Sequence, residues 1–181
     1  MGLIASIAWT GHAASTPHKL GYVHLAADAL HLSAAAAWIG GLVPLALLLN
    51  ASGRYRLLEC ASLELDVVRR FSILGSVSVA TLILSGFVNA WIQVGSLRGL
   101  VVTGYGQLLM LKLAAFAVML AFAAFNRFAL TPRLTLASDD ARQDALRGLS
   151  RNTLIEIALG LSIFAMVGVL GTLHPAAHLV N

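Results

Sequence analysis

Six histidines, His12, His18, His24, His31, His174 and His178, carry the chemistry most easily read from this chain, and all of them lie toward its two ends. A neutral imidazole nitrogen is a good ligand for copper, zinc, nickel and iron, and histidine is the commonest protein metal ligand. A histidine in a loop or at a helix end is ordinarily solvated, and His18 and His178 taken singly read that way. His31 differs because Asp28 precedes it by three residues, which on a helix puts both side chains on one face. An ionisable pair inside an apolar run is costly, so it asks for a function or a partner. The Asp28 carboxylate could orient the imbalance-prone imidazole behind a metal or bind a cation directly; a structural ion pair with Lys112 is the alternative. His24 stands just before the run that holds His31. His174 is followed by Pro175, which stops a helix, and His12 stands in Gly11-His12-Ala13. Three or four of these imidazoles brought together with Asp28 would suit a monovalent or divalent transition metal, although their spacing matches no fixed ligand motif. Methionine sulfur favours Cu(I), so Met110, Met119 and Met166 are candidates for a sulfur path beneath the histidines, with core filling as the bland reading.

The elements that would position these residues are membrane spans. Of 181 residues 59% are apolar and 11% charged, whereas a soluble domain runs about 45–50% and about 25%. That composition excludes a disordered chain and a secreted soluble enzyme. A single cysteine, Cys60, excludes an intrachain disulfide and a CxxC centre. Four stretches, Leu25–Leu49, Phe71–Val94, Gln107–Leu130 and Asn152–Leu173, reach the roughly 20 mostly apolar residues a spanning helix needs. They lack the period-two alternation of a barrel, and backbone groups in lipid must be bonded within their own segment, so helices follow. The expected fold is therefore all-α, an integral membrane four-helix up-down bundle. Residues 1–24 form a short apolar segment and a histidine-bearing outer loop, and residues 25–181 the four-span domain. The apolar Gly2–Trp9 is too short to cross and reads as a helical remnant or a short helix lying partly in the membrane.

Basic residues set the direction. Arg54, Arg56, Arg69 and Arg70 lie between the first two spans; Arg127, Arg133, Arg142, Arg147 and Arg151 lie at the end of the third or before the fourth. These nine of the twelve basic residues mark the cytoplasmic side. The remaining three are Lys19, Arg98 and Lys112, so the N-terminus, the second connection and the C-terminus face outward with every histidine. Arg54–Arg70 reads as an interfacial amphipathic helix and Asp139–Arg151 as a short surface helix, both anchoring to anionic lipid. No basic–aromatic interleaving suggests nucleic acid.

Within the spans, Ser78, Thr81, Ser85 and Asn89 recur at helical spacing and should face the bundle, bonding across to neighbours. Trp38-Ile39-Gly40-Gly41 permits close helix approach, and Pro44 should bend or weaken the first span. Arg127 and Glu156 stand at adjacent antiparallel ends and are expected to pair, either fixing register or serving transport. No hydrolytic constellation is evident, so the chain is not expected to be an enzyme.

The residues so placed resemble the copper resistance protein D family of bacterial inner-membrane proteins. The resemblance runs through Gly11-His12-Ala13, Ala27-Asp28-Ala29-Leu30-His31-Leu32, Ala37-Trp38-Ile39-Gly40-Gly41-Leu42 and Arg70-Phe71-Ser72. It continues in Ser85-Gly86-Phe87-Val88-Asn89-Ala90-Trp91, Tyr105-Gly106-Gln107-Leu108-Leu109, Lys112-Leu113, Asn126-Arg127-Phe128-Ala129-Leu130, Pro132-Arg133-Leu134 and Glu156. The combined pattern covers nearly the whole chain from His12 to Pro175. The resemblance implies passage of copper, as Cu(I) or Cu(II), across the inner membrane, or its binding at the periplasmic face. Expected metal-site residues are His12, His24, Asp28, His31 and His174. Fuller members of the family have about twice as many spans, and the chain resembles their C-terminal half. Expected partners besides copper and the lipid bilayer are a periplasmic copper-binding protein or the preceding half. Two other functions remain open: a membrane electron carrier with haem held between His31 and His174, and a structural subunit in which the histidines matter little.

Overall fold

The computed structural model describes residues 19–54, 60–94, 101, 103–136 and 139–173, and in them every regular element is helical. Four long helices dominate: α1 (Lys19–Arg54), α2 (Cys60–Val94), α3 (Gly104–Phe125) and, after a π-helical turn π1 (Asn126–Leu130) and a single turn α4 (Arg133–Leu136), α5 (Asp139–Leu170). Each contains or begins a stretch long and apolar enough to cross a membrane: Tyr22–Asn50, Leu65–Trp91, Gly104–Leu130 and Asp140–Leu170. The chain is thus an all-α, four-span membrane bundle.

The helices are longer than hydropathy alone suggests. From Cys60 and from Asp139, where they are described, the charged segments before the second and fourth spans are not separate surface helices. They are the first turns of α2 and α5, which run unbroken into the apolar stretches. No proline interrupts either junction, so a helix begun in polar surroundings simply continues. Pro44 lies inside α1 without ending it. That helix begins at Lys19, so His24 stands on it rather than in a preceding loop.

The ends of α3 follow from local chemistry. Thr103 caps the start: its Oγ1 accepts from the Gly106 amide at 3.0 Å and its carbonyl from the Gln107 amide at 3.0 Å. At the other end the Asn126 carbonyl accepts from the Thr131 amide at 2.9 Å and the Thr131 hydroxyl at 2.8 Å, which widens the last turn to π geometry. Pro132 then brings no N–H to carry the helix on.

The chain divides into two compact units, and each long helix contributes to both. The first comprises Met1–Ala37, Val77–Ala114 and Phe164–Asn181. It therefore collects the start of α1, the end of α2, the start of α3 and the end of α5, which is the signature of up-down connectivity. Its core includes Tyr105, Leu109 and Leu170, with Leu108 and Leu173 against them. The second comprises Trp38–Ser76 and Ala115–Ile163. There Leu45, Leu49, Val68, Leu130, Leu146 and Leu149 form the core, flanked by Val67, Phe71 and Leu134. Trp38 meets Phe116 edge-on, their centroids 6.1 Å apart.

Large apolar residues such as Leu47, Ile73, Leu84, Phe87 and Phe128 are exposed on the chain itself. In water this would be an aggregation hazard; in lipid it is the solvent-facing surface. Charges in the second unit pair along exposed helix faces, Arg70 with Asp66 at 2.8 Å and Arg147 with Asp144 at 3.1 Å. Such pairs stabilise little by themselves.

Glycine makes the close approach within the second unit. A Cβ on Gly41 would lie 3.0 Å from Phe71 Cε2 and 3.1 Å from Leu74 Cδ2, whereas one on Gly40 would meet nothing within 4 Å. Gly41→Ala should lower the thermal midpoint in detergent, because an overpacking cost of about 1–3 kcal/mol exceeds the gain in helix propensity of about 1 kcal/mol. Gly40→Ala should leave the midpoint unchanged or raised. Equal behaviour of the two variants would show that Gly41 is not a packing contact.

Candidate metal-binding site

The site grows from two antiparallel helix faces in the first unit. On α1, Asp28 and His31 are separated by three residues; on α2, Ser85 and Asn89 are separated by four. Both spacings return a side chain to one helical face. Moving forward along α1 moves backward along α2, so Asp28 meets Asn89 and His31 meets Ser85. Asn89 Nδ2 donates to Asp28 Oδ1 at 2.7 Å, and His31 Nδ1 lies 2.9 Å from Ser85 Oγ.

The Ser85 hydrogen bonds assign the imidazole tautomer. Ser85 Oγ donates its proton to the Thr81 carbonyl at 2.6 Å. Its lone pairs therefore face His31, and Nδ1 must carry the hydrogen that it donates. The other ring nitrogen, Nε2, then holds a lone pair. Metal-ligating histidines are held in this way, one N–H anchored to a neighbouring oxygen and the second nitrogen left with its lone pair. Gly86 makes room for it. A Cβ there would stand 3.3 Å from His31 Cε1, so the absence of a side chain lets the ring lie against α2.

Charge around the pair is mixed. Lys112, half-buried on α3, lies within electrostatic range of both Asp28 and His31, and Tyr105 within range of Asp28. The expected proximity of Asp28 and Lys112 is therefore present. It coexists with the Asp28–Asn89 bond.

His24, Asp28 and His31 share one face of α1 at intervals of four and three residues, and His24 is buried, 2% exposed. They do not converge on a common point. Among the described residues no three His, Cys, Asp or Glu side chains lie close enough to hold one ion. The reason is helical rise: seven residues at about 1.5 Å each separate His24 from His31 by about 10 Å along the axis. His12 and His174, the other two expected ligands, lie outside the described residues, as do His18 and His178.

Of the methionines expected to form a sulfur path, Met119 is buried, 2% exposed, Met166 is half-buried and Met110 is 52% exposed. The polar stripe of α2 divides in its duties. Ser85 and Asn89 bond across to α1, whereas Thr81 turns to the Val77 carbonyl of its own helix at 2.9 Å.

In the second unit the expected Arg127–Glu156 pair is replaced by two separate arrangements. Arg127, exposed on π1, reaches the Ser72 carbonyl at 2.9 Å and the Ser76 hydroxyl, both on α2. Glu156, 2% exposed, accepts from Asn126 Nδ2 at 2.7 Å. The widened π1 turn starts at Asn126, so the neutral carboxamide and not the guanidinium meets Glu156. Sequence reasoning paired Glu156 with Arg127 and missed Asn152. Its signal was the four-residue spacing from Asn152 to Glu156.

The sequence profile of copper resistance protein D matches residues 65–170. This chain belongs to the copper resistance protein D family. It is 35% identical over 176 residues to "Copper resistance protein D" of Pseudomonas syringae pv. tomato, covering 95% of this chain and 56% of that protein. It is 33% identical over 172 residues to "Copper transport protein CutJ" of Bacillus subtilis, covering 95% of this chain and 29% of the relative. "Inner membrane protein YebZ" of Escherichia coli is 32% identical over 173 residues, covering 93% of this chain and 55% of the relative. The chain thus spans about half the length, or less, of the curated relatives it matches. No solved structure matches it.

The His31 tautomer is directly testable. Nitrogen-15 spectra of imidazole-labelled protein should show the Nδ1–H form at His31, and Ser85→Ala should shift the population toward Nε2–H. A wild-type ring protonated on Nε2 would refute the assignment.

Proposed function

We propose that this chain is a copper-handling, multi-pass inner-membrane protein whose histidine-bearing ends face the periplasm, with copper as substrate. The observation that carries the reading is the His31–Ser85 bond, which leaves a lone pair on Nε2 of a half-buried imidazole inside a span. Copper as the metal rests on the family and on the names of two relatives, one for resistance and one for transport. The orientation rests on the arginines, which gather at the ends of the spans remote from His24 and His31.

The chemistry of the donor set fits such a substrate. Neutral imidazole and thioether ligands hold Cu(I), and imidazole with carboxylate holds Cu(II). Asp28 contributes one negative charge, and Lys112 nearby offsets it, so affinity would come from neutral nitrogen ligands rather than from net charge. His24, Asp28 and His31 are stepped along one face of α1 instead of gathered round one point. That spacing suits an ion held briefly at successive positions, with His12 and His174 completing the outermost one. Passage across the membrane, and delivery by a periplasmic copper-binding protein, follow as parts of the same proposal. The part of the relatives that this chain does not match would supply the remaining spans.

Copper titration of the purified chain tests the reading. His31→Ala should lower copper affinity at least tenfold, and Ser85→Ala should lower it about 10–100-fold through loss of ring orientation. Unchanged affinity in His31→Ala would remove His31 from the site. Uptake into proteoliposomes then tests passage: wild type should accumulate copper, and His31→Ala should slow it in proportion to the affinity loss. A second expectation concerns orientation. Cysteine placed at position 22 should react with an impermeant thiol reagent from the periplasmic side, and cysteine at position 140 only after the membrane is opened. The reverse pattern would invert the protein.

A further inference from the structure

The second unit holds a buried acid that copper binding at α1 does not use. Glu156 and Asn152, one turn apart on α5, are 2% and 1% exposed. Asn126 at the start of π1 joins them. Its Nδ2 donates to Glu156 Oε1 at 2.7 Å, and its Oδ1 accepts from Asn152 Nδ2 at 2.8 Å. This is a directed chain from Asn152 through Asn126 to Glu156. At its tail Asn152 Oδ1 is fully buried with no hydrogen-bond donor.

A carboxamide both donates and accepts, whereas an ionised carboxylate only accepts. Three residues in a ring need three donors, and the two asparagines supply two. The third can come from Glu156 itself. Residues four apart on a helix project from one face, so Asn152 Oδ1 is the open acceptor on the same face as a hydrogen carried by Glu156 Oε2. Each residue would then donate once and accept once.

Among the described residues, nothing charged stands against the carboxyl to hold it ionised. On the facing part of α1, residues 38–50, there is no charged residue. On α2, Asp66, Arg69 and Arg70 are exposed. Arg127 beside Asn126 turns to Ser72 and Ser76, and Arg133 is exposed. On α5 itself Asp140, Asp144, Arg147 and Arg151 are exposed, and Arg142 lies more than three turns before Glu156.

We infer that Glu156, Asn152 and Asn126 form a buried proton-binding site, in which the Glu156 carboxyl carries the proton and closes a three-residue hydrogen-bond ring through Asn152 Oδ1. Ionisation releases one proton to water and leaves one carboxylate charge. Two acceptor oxygens then face each other, and the ring opens at that point. The π1 turn is what places Asn126 in the ring, and such turns recur at functional positions. Carboxyl groups within spans are a common element of proton relays. The inference stands on the second unit alone and does not depend on copper binding at His31.

Infrared difference spectra of the full chain, between neutral and alkaline buffer, test it. Wild type should show the carbonyl band of a protonated carboxylic acid at neutral pH that vanishes at alkaline pH, and Glu156→Gln should lack that band. Glutamine can make both ring bonds, so Glu156→Gln should fold with a thermal midpoint insensitive to pH where the wild-type midpoint falls as the ring discharges. Asn152→Leu keeps the acid but removes its acceptor, and should shift the band. The proposal is overturned if Glu156→Gln retains the full acid band, if Asn152→Leu leaves it unmoved, or if wild-type stability responds to sodium and not to pH.

Discussion

Every polar group placed inside a span must find its partner in the protein, because lipid offers none. That constraint orders the whole molecule. It makes the four apolar stretches helical, since only a helix satisfies its own backbone. It also explains where the side-chain hydroxyls go. Ser76, Thr81, Ser85, Thr153 and Ser162 each bond a carbonyl one turn back on their own helix. What an individual helix cannot satisfy, a carboxylate, an imidazole or a carboxamide, must be met by a neighbour. The bundle brings those groups together at two places.

The two places solve the same problem differently. In the first unit a charged Asp28 and an ionisable His31 are each given one neutral partner from α2, and Lys112 supplies opposing charge. Ser85 does double duty: it anchors the imidazole and in the same act decides which ring nitrogen keeps its lone pair. In the second unit Glu156 has carboxamides for company and, among the described residues, no charged neighbour. A group so placed is held by hydrogen bonds alone, and the number of donors it needs determines what else must bind there. The first arrangement leaves a lone pair on an imidazole nitrogen; the second leaves an acceptor oxygen without a donor.

Much of the fold was legible before any coordinates. The four spans follow from composition and run length, their helical form from lipid physics, and their alternation from the positions of the arginines. The boundaries were less legible. Hydropathy locates where a helix enters lipid, not where it begins, so the charged first turns of α2 and α5 read as separate surface elements. His24 was placed before the first span for the same reason. On the site, the helical recurrence of Ser85 and Asn89 signalled that one face of α2 would bond to a neighbour, and the three-residue step from Asp28 to His31 signalled which face of α1 carried chemistry.

Tertiary structure decided the rest. Residue spacing along one helix states which side chains share a face, but the identity of each partner depends on register between helices, which spacing on either one does not contain. Asp28 with Asn89, His31 with Ser85, and Glu156 with Asn126 in place of Arg127 are all register outcomes, the last turned by a single π-helical turn before Pro132. The sequence by itself determined that apolar helices would cross a membrane and that Asp28 and His31 would share one face of the first of them. Only the packed bundle decided which lone pairs were left over, because a hydrogen bond is set within a few tenths of an ångström and a chain's periodicity resolves no finer than a helical turn.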